Sequence, residues 1–206
     1  MVTIGYYLLA HKYRWILLLA ASVYFYIAFV PIYILILGGT ILIDYYAGIY
    51  IEKAKVAKTR KNFLVLSIIT NVGILCVFKY YNFFVGNFNQ LGAEMHSPWQ
   101  LLYLQILLPI GLSFHTFQAM SYTIEVYRGN QKAERHLGIY AVYIMFYPQL
   151  VAGPIERPQN VLHQFHEKHN FDFERLKSGL MQMAFGMFKK VVIADRISLL
   201  VDPVYA

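Results

Sequence analysis

The sequence predicts an all-α protein, a polytopic bundle of transmembrane helices in which some helices are broken or re-entrant. The main observation is an apolar run of 37 residues, Trp15 to Ile51, that contains a single charge, Asp44. A helix crosses the hydrocarbon core of a bilayer with about 20 apolar residues, so this run is long enough for two crossings. Composition agrees, because 58% of the 206 residues are hydrophobic and only 14% are charged. Soluble domains contain roughly 25% charged residues.

The basic residues lie between the apolar runs and give the chain a net charge of +7. Nucleic-acid binding would require them to form one continuous face, so we expect membrane lipid, and no nucleic acid, around this chain. The single cysteine, Cys76, excludes an intrachain disulfide framework.

The first two predicted crossings form a helical hairpin. One helix is predicted over residues 15–29 and a second over 32–51. Pro31 separates them, since proline lacks the N–H that a helix interior needs. Residues 52–61, here called the first basic loop, follow the hairpin and hold five Lys and Arg residues.

Two further crossings are predicted after this loop. The third helix covers residues 62–84, and the connection 85–98 contains no Lys or Arg. The fourth helix is broken at Pro109-Ile110-Gly111 into the segments 99–108 and 112–127. The second basic loop, residues 128–135, comes next.

The positive-inside rule orients these four crossings without conflict. Lys12, Arg14 and the two basic loops are predicted on the cytoplasmic side, and the connection 85–98 on the outer side. We therefore expect a multi-pass protein of the cell (inner or plasma) membrane.

The remainder of the chain predicts a re-entrant segment, a polar connection and a helix. Residues 137–153 are apolar but short for a crossing, which favours a buried or re-entrant segment. Residues 159–170 are polar, and Asp172 is a predicted N-cap for a helix over 173–200. Because no repeat or linker divides the sequence, we expect one membrane domain over 1–206.

A stripe of polar residues follows the predicted break in the fourth helix. His115, Gln118, Tyr122 and Glu125 are spaced by three or four, so they share one helix face. Polar side chains at membrane depth face a bundle interior or a wet cavity. These four are candidate tunnel-lining residues, and interhelical hydrogen bonding that only holds the bundle together is the alternative.

A second polar cluster surrounds Pro148 in the predicted re-entrant segment. Non-helical backbone at this depth is tolerated only when it is buried in protein or lines water. Gln149 could satisfy the freed backbone groups, and Glu156 could pair with Arg157 or another neighbour. Both are further candidate lining residues, and a purely structural turn is the alternative.

Other titratable residues point less clearly to a site. His163, His166 and His169 recur every third residue, but no cysteine or fixed carboxylate completes a metal site, so a solvated connection is favoured. For Asp44, snorkelling or pairing explains its position at least as well as ion transport does. We expect no metal site.

Several motifs together resemble the membrane-bound O-acyltransferase family, in particular its alginate O-acetyltransferase branch and the related D-alanine transferase of teichoic acids. Their order and spacing match over about residues 11–206. The motifs are residues 78–83 (FKYYNF), 108–114 (LPIGLSF), 121–122 (SY), 127–129 (YRG), 148–154 (PQLVAGP), Gly186, 189–190 (KK) and 194–195 (AD).

This resemblance implies a polytopic enzyme with a central tunnel. A cytoplasmic acyl donor, acetyl-CoA or another, is a substrate, and no bound cofactor is implied. The acceptor is a polysaccharide on the outer side, reached directly or through a periplasmic partner protein. The family's histidine acts as a general base toward a hydroxyl group.

The chain departs from the family pattern in one respect. The family's catalytic histidine belongs to a later Trp-His-Gly segment that is absent from these 206 residues. We expect that histidine after residue 206 and assign no catalytic residue here, His115 included, since the motif around His115 is a different one. The expectation is a chain that is roughly the N-terminal half of an enzyme, with the family's first helix shortened, and that is inactive alone.

Overall fold

The computed structural model describes residues 1–28, 31–95, 99–104, 111–150 and 153–205. Helices and loops make up these ranges, which contain no β-strand, so the all-α prediction is confirmed. The helices are α1 (Val2–Leu8), α2 (His11–Ile27), α3 (Tyr33–Lys53), α4 (Ala57–Glu94), α5 (Leu112–Arg128), α6 (Leu137–Met145), α7 (Pro158–His166), α8 (Phe173–Phe188) and α9 (Asp195–Tyr205).

Within the described residues, α3 and α4 are the helices long and apolar enough to cross a membrane. They contain most of the crossings predicted over 32–51 and 62–84. With 38 residues, α4 is about 57 Å long at 1.5 Å per residue, more than the roughly 30 Å of a bilayer core. Most of its apolar side chains are exposed in this chain, which suits a helix that is covered by lipid.

Residues 1–168 form one compact unit and residues 169–206 a second. In the first unit α3, α4 and α5 pack against one another, and α2 and α6 pack beside them. The core consists of large side chains from these helices, including Tyr45, Tyr122 and Tyr140. The single membrane domain stays a prediction.

The two basic loops lie together at one end of the first unit. Arg60 Nη2 donates to the carbonyl oxygen of Tyr127 at 2.6 Å. Arg135 forms an ion pair with Glu52. The two basic loops, both predicted on the cytoplasmic side, are therefore neighbours in space.

The predicted boundaries are wrong between residues 85 and 104. The helix predicted to end at residue 84 continues to Glu94, and residues 99–104 are not helical. Pro109 and Ile110, where the fourth helix was predicted to break, lie outside the described residues. The described part of that break is Gly111, whose left-handed backbone (φ 75°) precedes α5.

Two asparagine side chains explain why residues 99–104 are not helical. Asn82 donates to and accepts from the backbone of Leu104, at 2.7 and 2.9 Å. Asn89 does the same with Leu101, at 2.9 and 2.7 Å. Asn82 and Asn89 are seven residues apart on a helix, a rise of about 10.5 Å, and Leu101 and Leu104 are three residues apart in extended chain, about 10 Å. The two asparagines therefore match the spacing of the two backbone positions that they bind. The amides supply the hydrogen bonds that a helical turn would have made.

The second unit begins with a confirmed helix cap. Asp172 Oδ1 accepts from the backbone N–H groups of Glu174 at 2.9 Å and Arg175 at 3.2 Å. The helix predicted over 173–200 is found, with a π-helical segment, Lys189–Ala194, between α8 and α9. In the first unit, α7 covers much of the stretch predicted as a polar connection and begins one residue before it, at Pro158, a favoured first residue of a helix.

Candidate functional site

The predicted polar stripe lies on α5, and its four members are all buried. Gln118 and Tyr122 are fully buried, and His115 and Glu125 are nearly so. The face they share is directed toward α3, α6 and the segment around Glu156, as the contacts below show. The sequence prediction that these residues face the interior of the bundle therefore agrees with their placement.

His115 completes the end of α6. Its Nδ1 lies 3.2 Å from the carbonyl oxygen of Ile144. In a continuing helix that carbonyl would accept from the residue four positions on, which is Pro148 and has no N–H. Since a carbonyl oxygen can only accept, Nδ1 of His115 is the donor. The backbone group freed by Pro148 is thus satisfied by His115 and not by Gln149.

Gln118 holds the backbone of Glu156. Its Oε1 accepts from the Glu156 N–H at 3.1 Å. The Tyr143 hydroxyl donates to the Glu156 carbonyl oxygen at 2.9 Å. Glu156 is thus fixed through both backbone groups, and Tyr143, which the sequence analysis did not select, is part of the site.

Gln149 and Pro148 belong to a tight turn after α6. The Gln149 N–H donates to Phe146 at 2.9 Å, and the Gln149 carbonyl oxygen accepts from Gly153, also at 2.9 Å. A Cβ at Gly153 would lie 2.6 Å from the Gln149 Cα, so only glycine fits. Pro148 is exposed and Gln149 is half-buried. The backbone here is non-helical, as predicted.

Tyr122 joins α5 to α3, α6 and the second basic loop. Its hydroxyl oxygen accepts from the Glu134 N–H at 2.9 Å. Its ring lies 4.6 Å from the Tyr140 ring, centroid to centroid. A Cβ at Gly48 of α3 would lie 2.7 Å from the Tyr122 ring, so the two helices approach closely at that glycine.

Glu125 ends the stripe with a set of donors. Its carboxylate accepts from Asn130 at 3.0 Å, Gln159 at 2.5 Å and Arg128 at 3.3 Å. Of these three donors, Arg128 alone carries a charge, and its side chain is largely exposed. Glu125 therefore ties the C-terminal end of α5 to α7, which favours a bundle-holding role for this member of the stripe.

Three buried polar atoms in this region have no hydrogen-bond partner among the described residues. They are Nε2 of His115, Nε2 of Gln118 and the hydroxyl oxygen of Tyr140. Buried polar atoms in native proteins are nearly always bonded to protein or to water. The α5–α6 region therefore has unused hydrogen-bonding capacity, as a hydrated or substrate-lining interior does.

A second buried network was missed by the sequence analysis. Asp44 is fully buried, and its carboxylate accepts from Ser67 Oγ at 2.6 Å and from Asn71 Nδ2 at 2.8 and 2.9 Å. Thr123 Oγ1 lies 3.1 Å from Ser67 Oγ. The network joins α3, α4 and α5, and no ion pair to Asp44 is found in the described ranges. Of the two explanations for Asp44, snorkelling to water is therefore wrong, and pairing is confirmed, with neutral donors as the partners.

The histidines of α7 have local partners. His163 Nδ1 donates to the Gln159 carbonyl oxygen at 2.9 Å. His166 Nε2 lies 2.8 Å from Glu134 Oε2. Over the part of the chain that is described, no group of three His, Cys, Asp or Glu side chains is placed to hold a metal ion.

Comparison with known proteins gives a consistent set of relatives. The chain is 36% identical to the probable alginate O-acetylase AlgI of Pseudomonas aeruginosa and 34% identical to that of Azotobacter vinelandii, each over 98% of this chain. It is 31% identical, over 90% of its length, to the peptidoglycan O-acetyltransferase of Helicobacter pylori. The matches cover 38%, 40% and 39% of these relatives, so the chain spans about two fifths of their length.

The similarity is one of sequence. No family model matches the chain. No solved structure matches it either. Identity above 30% over nearly the whole chain, to relatives that share one activity name, agrees with the resemblance carried by the motifs. These matches confirm the resemblance to the alginate O-acetyltransferase branch of the membrane-bound O-acyltransferase family.

Proposed function

We propose that the chain is part of a membrane-embedded O-acyltransferase. The enzyme transfers an acetyl or other acyl group from a cytoplasmic donor, acetyl-CoA in the simplest case, towards an exported polysaccharide. The observation that carries the proposal is the similarity over nearly the whole chain to O-acetylases named for two different polymers, alginate and peptidoglycan. What those relatives share is acyl transfer to an exported glycan.

The buried stripe on α5 supports a role in the path of the substrate. A bundle that needed only interhelical hydrogen bonds would leave few buried atoms unsatisfied. Here His115 and Gln118 each use one polar atom to hold the backbone around α6 and keep a second polar atom free of partners in the described structure. The region is thus rigidly held and still able to bind a polar group.

The proposed location is the inner or plasma membrane, crossed several times. Support comes from the length and exposed apolar surface of α4 and from the grouping of the two basic loops at one end. Cytoplasmic loops of membrane proteins carry an excess of Lys and Arg, so that end is proposed to face the cytoplasmic donor. The acceptor polysaccharide, or a periplasmic protein that passes the acyl group on, is proposed at the opposite end.

A small transporter or flippase is the competing function. The non-helical backbone after α6 at Pro148 is typical of transport proteins, which use broken helices at their substrate sites. A transporter would move a substrate across the membrane without consuming an acyl donor. A noncatalytic scaffold would do neither.

Labelled acetyl-CoA distinguishes these functions. Membrane vesicles that contain the full-length protein encoded by this gene are incubated with acetyl-CoA labelled in the acetyl group and with alginate. The proposal predicts release of free CoA together with label in the polymer as a base-labile ester. Movement of a substrate without CoA release, or an acetyl-CoA level equal to that of vesicles lacking the protein, would reject it.

A further inference from the structure

The tautomer of His115 is determined by its one hydrogen bond. Nδ1 faces the Ile144 carbonyl oxygen at 3.2 Å and must donate to it. An imidazolium would carry a second N–H, on Nε2, with no acceptor in the described structure. The neutral ring with its proton on Nδ1 is the form that fits, and it leaves Nε2 as an unprotonated acceptor.

The orientation of the Gln118 amide is determined in the same way. Its Oε1 accepts from the Glu156 N–H, so the oxygen and nitrogen cannot be exchanged without losing that bond. The Nε2 group, which carries two N–H donors, is buried and has no acceptor among the described residues. Gln118 therefore presents a donor.

These two atoms are on neighbouring turns of one helix face. Residues three apart on a helix have Cβ atoms about 5–6 Å apart. The site proposed below requires the two Nε2 atoms to lie near enough for one oxygen atom to hydrogen-bond to both, at about 2.8 Å each. His115 Nε2 also lies beside Gly111, where a Cβ would approach it to 3.1 Å and would clash with the Leu150 carbonyl oxygen, so no side chain fits at this position.

An acceptor beside a donor selects the chemistry of the occupant. A carbonyl oxygen of an ester or thioester would accept from Gln118 and leave the lone pair of His115 unused. An ammonium group would donate to His115 and leave the Gln118 donor unused. A hydroxyl group donates with its hydrogen and accepts with its oxygen, so it satisfies both atoms at once.

We propose that His115 and Gln118 form a binding site for one hydroxyl group, supplied by a water molecule or by an alcohol. The site is a hydroxyl-binding one and is not proposed as the general base that the family resemblance implies. It does not depend on acyl transfer, because the argument uses only the two orphaned atoms and the bonds that orient their side chains.

Nuclear magnetic resonance tests the site directly. The full chain, labelled in its histidine rings and held in lipid nanodiscs, is examined for magnetisation transfer from water to the carbon-bound ring protons of His115. The signal is assigned to His115 by its loss in the variant His115→Asn, which keeps a hydrogen-bond donor toward Ile144. We expect transfer from water to His115 although the ring is almost fully buried. We also expect an unprotonated, hydrogen-bonded Nε2 in the nitrogen spectrum.

Two further experiments identify the source of the hydroxyl group and test the contribution of Gln118. Methanol is then added. If contacts from the methyl protons replace the water signal, the site accepts an alcohol. If the water signal is unchanged, the site is a water site. Gln118→Met should abolish the transfer. Absence of transfer from both water and methanol in the unmodified chain overturns the proposal, as does full transfer in Gln118→Met.

Discussion

The Asp44 network predicts a large loss of stability from one small substitution. Asn71→Ala removes the amide whose Nδ2 lies 2.8 and 2.9 Å from the two carboxylate oxygens of Asp44. The carboxylate, which is fully buried, keeps Ser67 as its donor but loses the bond from Asn71. Water cannot replace that bond without opening the contact between α3 and α4.

The expected cost follows from two contributions. An interhelical side-chain hydrogen bond in a membrane protein contributes about 0.6 kcal/mol and at most about 1.7 kcal/mol. Leaving a buried polar group unsatisfied costs about 1–3 kcal/mol more. We therefore expect Asn71→Ala to lower the free energy of unfolding by about 2–5 kcal/mol.

Asn87→Ala is the matched control, since Asn87 lies on the same helix, is exposed, and within the described ranges donates only to the Phe83 carbonyl oxygen of its own turn. An exposed substitution of this kind changes stability by about 0.5 kcal/mol or less. Unfolding by sodium dodecyl sulfate in mixed micelles measures both variants. Equal losses in the two variants would refute the reasoning. So would strict additivity of Asn71→Ala with Asp44→Ala, because residues in one network must couple.

Two further predictions concern helix contacts. Gly48→Ala inserts a Cβ that would lie 2.7 Å from the Tyr122 ring, and overpacking of this kind costs about 1–3 kcal/mol in the same unfolding assay. Asn82→Ala and Asn89→Ala remove the side chains that bond the backbone of residues 99–104. We expect faster amide hydrogen exchange and faster proteolysis in that segment in both variants, with little change elsewhere.

Each of these predictions has a control on the same helix. Gly38→Ala adds a Cβ with no atom within 4 Å, so it should leave stability unchanged or slightly raised, since alanine favours helix over glycine. A loss equal to that of Gly48→Ala would contradict the close contact with Tyr122. For the segment 99–104, Asn87→Ala should leave amide exchange as it is, and an equal acceleration would show that the asparagine pairs do not hold it.

Helix positions were largely predictable because they follow from apolar length. The helix predicted over 32–51 agrees with α3 to within two residues, and the second segment of the fourth predicted helix, 112–127, agrees with α5 to within one residue. The boundary near residue 84 failed because hydropathy does not report what the asparagine side chains bond to. Asn82 bonds to the backbone of Leu104, 22 residues away, and Asn89 bonds to that of Leu101, 12 residues away. These bonds hold the following chain in a non-helical path.

The stripe on α5 was predictable from helical spacing, whereas the Asp44 network was not. Its members come from three separate apolar runs, and only the fold brings them together. A signal was nevertheless present, because Ser67 and Asn71 are four apart in an otherwise apolar helix and thus share one face. Polar residues that recur in neighbouring apolar runs can be paired as candidate partners before a structure is known.

Polymer acetylation by two neighbouring variants tests the central claim, that the buried face of α5 serves acyl transfer. Gln118 is fully buried and holds Glu156, whereas Phe117 is exposed on the outer face of the same helix. In the full-length protein, Gln118→Leu is predicted to lower acetyl incorporation about tenfold or more at equal protein abundance, which corresponds to an increase of about 1.4 kcal/mol in the activation barrier. Phe117→Leu should leave acetyl incorporation unchanged. Equal acetylation by the two variants would contradict the account.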